Sequence, residues 1–333
     1  MSSDDTEDPV AAALSGSTDL YDVAEWDPRS GLDRFSVSIH GFLHASRRWL
    51  LIALGLVLFV AQLAFAGLLV LRQPSLGILA ALSVVPALAI VGYLWYGDPT
   101  IREPVETMAV VFVLAILFAS FAALVNTVLQ PLFQLIPVVG MAVFFFVVVG
   151  PIEETVKWLG ARVGAFGTIE SVVDGVVYGA VAGLGFATIE NALYIVQGYS
   201  QAMSLDNAEP LLAAVQTATS RAFVGPGHVL YSSIAGYYLG LAKFNPEHRG
   251  PIVVKGIFIA AVVHAVYNTS VTYLPQLVPW NLVTFVGFVV AFDAVVGYFV
   301  YRKLSRYKRL YHQTEASGHH SEGDPSGSES ADA

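Results

Sequence analysis

The chain contains no cysteine. That excludes disulfides, thiolate nucleophiles and Cys-ligated zinc, and leaves any metal to His, Glu, Asp or Asn. Charge is also scarce: 13% of the 333 residues are Asp, Glu, Lys or Arg, against 55% hydrophobic. With a mean hydropathy of +0.63, the composition falls outside the soluble range and inside that of multi-pass membrane proteins. The N-terminal MSSDDTEDPV lacks a basic region followed by an apolar run, so no cleavable signal peptide is expected. No repeat period and no separate soluble domain are visible, and no nucleic-acid partner is expected.

What charge there is lies unevenly. Residues 1–33 carry nine acidic groups and one basic, and residues 315–333 carry five acidic and none basic. Removing both leaves a core of net charge +4. The ends read as acidic, solvated tails, 1–33 and 311–333, flanking an interfacial segment at 34–48 and a membrane domain at 49–310. Acidic tails without cysteine suit a salt-loving archaeon.

Apolar runs long enough to cross a bilayer fall near 49–71, 76–96, 108–129, 138–160, 172–197, 251–274 and 280–301. The region 209–243 is interrupted by Gly225-Pro226-Gly227, which predicts a broken helix. Arg47, Arg48, Arg162, Lys243, Arg249, Lys255 and the basic run after the last helix face one side together only if 209–243 crosses once. The expected fold is therefore an all-α polytopic bundle of about eight transmembrane helices, in the cell membrane, with both termini cytoplasmic.

Ionisable groups inside these runs need a reason, because a charge at membrane depth costs roughly 2.5–3.5 kcal/mol or more. Glu153 and Glu154 follow the apolar stretch 144–149, and Lys157 stands four residues after Glu153, close enough to pair with it. An interfacial, snorkelling Glu/Lys patch is the plain reading of that segment alone. Adjacent glutamates point about 100° apart on a helix, so one faces a given centre and the other orients a neighbour.

Gly175, Gly179 and Gly183 form a small-residue packing stripe, which does not account for Glu190 and Asn191 further along. His228 stands directly after the Gly-Pro-Gly break, and Arg221 seven residues before it. A capping histidine is the plain reading there. His264 and Asn268 share one helix face, where a lone histidine would usually be a packing residue. Measured from the inner helix ends at ~1.5 Å per residue, Glu153 and His264 lie about 14 Å deep, His228 about 22 Å and Glu190 about 24 Å. One cavity can hold all of them only if tilt closes that gap.

Together these segments resemble the PrsW family of intramembrane proteases, loosely grouped with the CAAX prenyl proteases and bacteriocin-processing proteins. The resemblance rests on E-E-x-x-K at 153–157, the stretch from Asp174 to Asn191, R-x-x-x-x-P-x-H at 221–228 and H-x-x-x-N at 264–268. It spans about 150–270. It implies hydrolysis of a peptide bond in a membrane-anchored substrate, such as an anti-sigma factor or another single-span regulator. By analogy with the CAAX enzymes, Glu153 and His228 would activate water, and His264 with Asn268 would stabilise the oxyanion. Lys157 departs from the CAAX-type pattern, which has arginine one position later, and this puts the partner of Glu154 in doubt.

If zinc or another divalent metal takes part, two histidines and a glutamate make a three-ligand catalytic set. His228, His264 and Glu190 are then the candidate ligands, and Glu153 or Glu154 transfers the proton. Without metal, Glu190 would orient a histidine. Lys157, Asp174, Asn191 and Arg221 are candidate supporting residues. The rival from another class is a proton-coupled transporter or channel using these groups as a relay, which Asp293, alone in the last helix, would suit. No paired broken helices or duplicated halves accompany it.

Overall fold

The computed structural model describes residues 19, 28–98, 102–206 and 208–321. Two compact units are resolved, Met1–Ala53 and Leu54–Ala333, and the site lies wholly in the second. Among the described residues every regular element is helical: α1 Gly31–Arg72, α2 Pro74–Ser83, α3 Val85–Tyr96, α4 Val105–Gln134, α5 Gly140–Phe144, α6 Gly150–Ala165, α7 Val172–Met203, α8 Pro210–Lys243, α9 Arg249–Tyr273 and α10 Leu282–Ser321. A π-helical turn, Phe145–Val149, joins α5 to α6.

Five helical segments are long and apolar enough to cross a membrane: Pro74–Tyr96, Val105–Gln134, Val172–Met203, Pro246–Gln276 and Leu282–Tyr311. A bent pair within Gly31–Ala64 makes a sixth candidate. The chain is thus an all-helical membrane protein. The remaining runs expected to cross, 138–160 and 209–243, fold as α5–α6 and α8, where polar and charged side chains dilute the hydropathy. Most of the expected acidic N-terminal tail lies outside the described residues, as does 322–333. α10 itself continues to Ser321, past the point where the C-terminal tail was expected to start, since no proline intervenes before Pro325.

α7 sits at the centre, with almost its whole first half buried. It starts with a capping box: Ser171 Oγ accepts from the Val173 and Asp174 amides at 3.1 and 3.3 Å, and Asp174 Oδ2 accepts from the Ser171 amide at 3.2 Å. The glycine stripe then meets α8 backbone to backbone. A Cβ on Gly175 would lie 2.4 Å from the Gly236 carbonyl oxygen, one on Gly179 2.3 Å from that of Ser232, and one on Gly183 2.4 Å from that of His228. Only glycine permits such an approach.

The predicted break at 225–227 is not present. α8 runs unbroken through Pro226. Proline removes one intrahelical hydrogen bond and leaves the rest, and the close packing of α7 against 228–240 holds the helix on course. The expected pause in the chain is a tolerated interior proline, as neighbouring helices allow in membranes.

α6 is anchored in the same manner. A Cβ on Gly150 would lie 2.5 Å from the Ala261 carbonyl oxygen of α9, so the first turn of α6 is pressed against the turn before His264. A π-turn at the preceding residues offsets the register by one residue, a feature often found beside functional sites. α10 turns large apolar groups outward, among them Val283 at 80% and Val295 at 72% exposure, as a lipid-facing helix does.

Candidate active site

Three helix contacts bring the scattered ionisable residues together. α6 carries Glu153, Glu154 and Lys157, all buried; α8 carries His228; α9 carries His264. The two imidazoles meet edge to face with ring centroids 5.1 Å apart. Glu190 reaches in from α7, with its Oε2 2.9 Å from His228 Nε2. The depth gap estimated along the separate helices is absorbed by the packing of α6 on α9 and α7 on α8.

The adjacent glutamates divide their work as their angular separation requires. Glu154 is fully buried. Its Oε1 lies 2.6 Å from Lys157 Nζ and 2.9 Å from His264 Nδ1, and its Oε2 accepts from Ser232 Oγ at 3.3 Å. Lys157 therefore pairs with Glu154, not with Glu153 as the four-residue spacing suggested. The three-residue spacing also places side chains on one face, and Glu153 has turned away. Lys157 Nζ also sits 2.9 Å from His228 Nδ1 and 4.3 Å from the centre of the Phe186 ring.

Glu153 faces the two imidazoles. Its Oε1 accepts from Asn126 Nδ2 of α4 at 2.9 Å. Its Oε2 lies 3.7 Å from His264 Nε2 and has no hydrogen-bond partner, although it is buried. Such an orphaned carboxylate oxygen is rare and calls for an explanation. The charge pattern supplies one: Glu154 is matched by Lys157 and Glu190 by Arg221, while Glu153 has no cation of its own among the described residues.

The partners also set the ring tautomers. An ammonium donor on His228 Nδ1 makes that nitrogen an acceptor, so Nε2–H donates to Glu190. His264 donates from Nδ1 to Glu154, which leaves Nε2 free on the cavity side. The cavity has a volume of about 790 Å³ and is lined by Glu153, Glu190, His228, His264 and Asn268 together with Asn126. Asn268 thus joins the site as its spacing from His264 implied.

The supporting residues fall into two groups. Arg221 forms an ion pair with Glu190, donates from Nε to Asn191 Oδ1 at 2.8 Å and lies 4.6 Å over the Tyr194 ring. Asn191 in turn donates to Ser83 Oγ at 3.1 Å. Asp174 belongs elsewhere. Sixteen residues before Glu190 on one straight helix, it lies about 24 Å away along the axis, where it caps α7. Asn126 escaped the sequence reading; a lone asparagine in the apolar interior of α4 was the available signal.

The donor set fits a metal. One ligand atom from each of Glu153, His228 and His264 lies within 4.8 Å of the others, and all three residues are buried. Two imidazole nitrogens and one carboxylate oxygen suit zinc and its neighbours. Glu190, expected as the third ligand, is outside this set because Arg221 and His228 already occupy it.

A carboxylate–imidazole cavity enclosed by apolar helices has the composition of a membrane-embedded hydrolytic centre. Residues 103–295 match the PrsW family intramembrane metalloproteases, and the chain belongs to that family. It is thus a membrane protease, and the transporter reading falls away. Similar proteins include the Protease PrsW of Shouchella clausii, 29% identical over 215 residues that span 62% of this chain and 89% of that protein. The Protease PrsW of Halalkalibacterium halodurans is 32% identical over 146 residues, 41% of this chain and 61% of that protein. That of Bacillus subtilis is 27% identical over 205 residues, 60% of this chain and 85% of that protein. These relatives are bacterial and lend no support to the archaeal origin suggested by composition. No solved structure matches the chain.

Proposed function

We propose that Glu153 is the carboxylate that acts in peptide-bond hydrolysis, because its Oε2 is buried, unpartnered and turned toward both imidazoles. Glu153, His228 and His264 would hold a divalent metal of zinc type. Bound there, the metal supplies polarisation of the scissile carbonyl and acidification of a water molecule. The chain's own residues do the remainder. Glu154 holds His264 Nδ1 so that Nε2 faces the cavity, the outer-sphere arrangement that orients metal-binding histidines. Lys157 and Glu190 brace the two nitrogens of His228, and a His228 that held an ion would keep one of these contacts. Asn126 fixes Glu153 through Oε1, and Glu153 Oε2 takes a proton in any cycle run without metal. Asn268 offers an amide donor to the developing oxyanion. Arg221 and Asn191 position Glu190.

The reading extends to topology and substrate. Counting α5–α6 and α8 as crossings gives eight spans in a protease domain of about 49–310, with both acidic termini in the cytoplasm by the distribution of Lys and Arg. The substrate class is a membrane-anchored protein, an anti-sigma factor or another single-span regulator by resemblance.

The test uses the full chain in lipid nanodiscs with a panel of single-span reporters. Glu153→Gln is expected to abolish cleavage while leaving thermal unfolding close to wild type. Cleavage at the wild-type rate by that variant would remove the assignment.

A further inference from the structure

The end of α7 remote from the active site holds a second cluster. One carboxylate oxygen from each of Asp98, Glu103 and Asp174 lies within 4.8 Å of the others. The three arrive from different elements: Asp98 follows the C-terminal end of α3, Glu103 precedes α4 by two residues, and Asp174 stands in the first turn of α7. Three like charges at this spacing repel unless something of opposite charge joins them.

Glu103 makes the case. It is 3% exposed, and neither of its carboxylate oxygens has a hydrogen-bond partner. Its backbone is held in place, since Trp95 Nε1 donates to the Glu103 carbonyl at 3.2 Å. The side chain is thus buried and faces two other acids. The position calls for a proton or a cation.

We propose that Asp98, Glu103 and Asp174 form a second, non-catalytic site for a hard divalent cation of the Mg²⁺ or Ca²⁺ class. A donor set made only of carboxylate oxygens selects such ions, whereas the nitrogen-rich set around His264 selects zinc-type metals. Asp174 already accepts from the Glu170 and Ser171 amides and from the Ser171 hydroxyl, and with about four acceptor sites a carboxylate keeps one for an ion. The ion would tie the end of α3 to the start of α4 and the first turn of α7. Those last two helices carry Asn126 and Glu190 into the catalytic cavity, so the clip steadies its walls from a distance.

The test uses full-length protein in nanodiscs, stripped with chelator, desalted and titrated separately with MgCl₂ and CaCl₂. Thermal unfolding is followed in wild type, Glu103→Gln, Asp98→Asn and, as a control on the other site, Glu153→Gln. Either ion is expected to raise the unfolding temperature of wild type and Glu153→Gln, with the rise lost in the two acidic-cluster variants. Mn²⁺ binding followed by electron paramagnetic resonance gives an independent reading, and Glu103→Gln is expected to weaken it by about tenfold or more. An equal rise and equal Mn²⁺ binding in wild type and Glu103→Gln would overturn the proposal. So would a wild type that neither ion stabilises, which would assign the cluster a shared proton instead.

Discussion

At one end of α7, Glu190 meets Arg221 and His228 across a cavity shared with Glu153 and His264; at the other, Asp174 meets Asp98 and Glu103. Both clusters gather three carboxylates. In the first, Lys157 and Arg221 match two of them, and imidazoles face the third. In the second, no imidazole enters among the described residues, and Glu103 is buried against the other two acids. The contrast separates two ways of managing buried acid. Among the three acids of the first cluster, inside the membrane domain where a lone charge is costly, two are paired and the one exception faces the reaction space. Near the helix ends, the buried carboxylate of Glu103 beside two other acids suits an ion drawn from water.

The largest expected effect comes from removing that exception. Glu153→Gln should lower the rate of reporter cleavage by about 10³-fold or more, within the range that loss of an acting carboxylate produces. Unfolding curves taken alongside separate this from misfolding. A small rate loss would make Glu153 a packing group and erase the distinction from Glu103.

Next comes the pairing itself. Lys157→Met leaves Glu154 buried without its cation, and such a break typically costs about 3–5 kcal/mol. Denaturant unfolding in mild detergent should detect it. Lys157→Met combined with Glu154→Gln should recover part of the loss; full loss in the double variant would show that the pair is not the source.

The backbone contact of α7 with α8 should respond more mildly. Gly179→Ala places a methyl group where the Ser232 carbonyl oxygen now stands, 2.3 Å from the new atom. Overpacking of this kind costs about 1–3 kcal/mol, and the displacement should also move His228 and reduce cleavage. Asn126→Ala should lower metal affinity or cleavage by about 10–100-fold with little change in stability, as outer-sphere partners do. The smallest effect is expected from Asp293→Asn. Asp293 lines a separate, mostly apolar cavity with Leu94, Phe223 and Leu230, so cleavage should stay within about twofold. A large loss there would bring back a role for a relay through α10.

Much of the site was legible in the sequence because charged groups in apolar runs are few and conspicuous. Glu153, Glu154, Glu190, His228 and His264 stood out on those grounds, and Asn268 by its spacing from His264; all line the candidate cavity or touch a residue that does. The glycine stripe foretold a close helix contact, though only the fold names α8 as the partner. Pairings were harder to read. Spacing permitted Lys157 to meet Glu153 or Glu154, and the choice depends on the rotation of α6 fixed by Gly150 against Ala261. The Gly-Pro-Gly sequence looked like a break, but packing by α7 keeps α8 continuous. Asp174 shares a motif with Glu190 yet serves the opposite end of the same helix, as the spacing along ~1.5 Å per residue implies.

Metal stoichiometry in the intact membrane protein tests the shared centre most directly. Elemental analysis of wild type, Glu153→Gln, His228→Ala and His264→Ala, each folded in nanodiscs and washed free of loose ions, gives the answer without knowledge of the substrate. One zinc-type ion per wild-type chain is expected, with at least about tenfold weaker retention in each of the three variants. Undiminished metal in Glu153→Gln and His264→Ala would mean that these residues do not hold a common ion, and the site assembled from them would have to be abandoned.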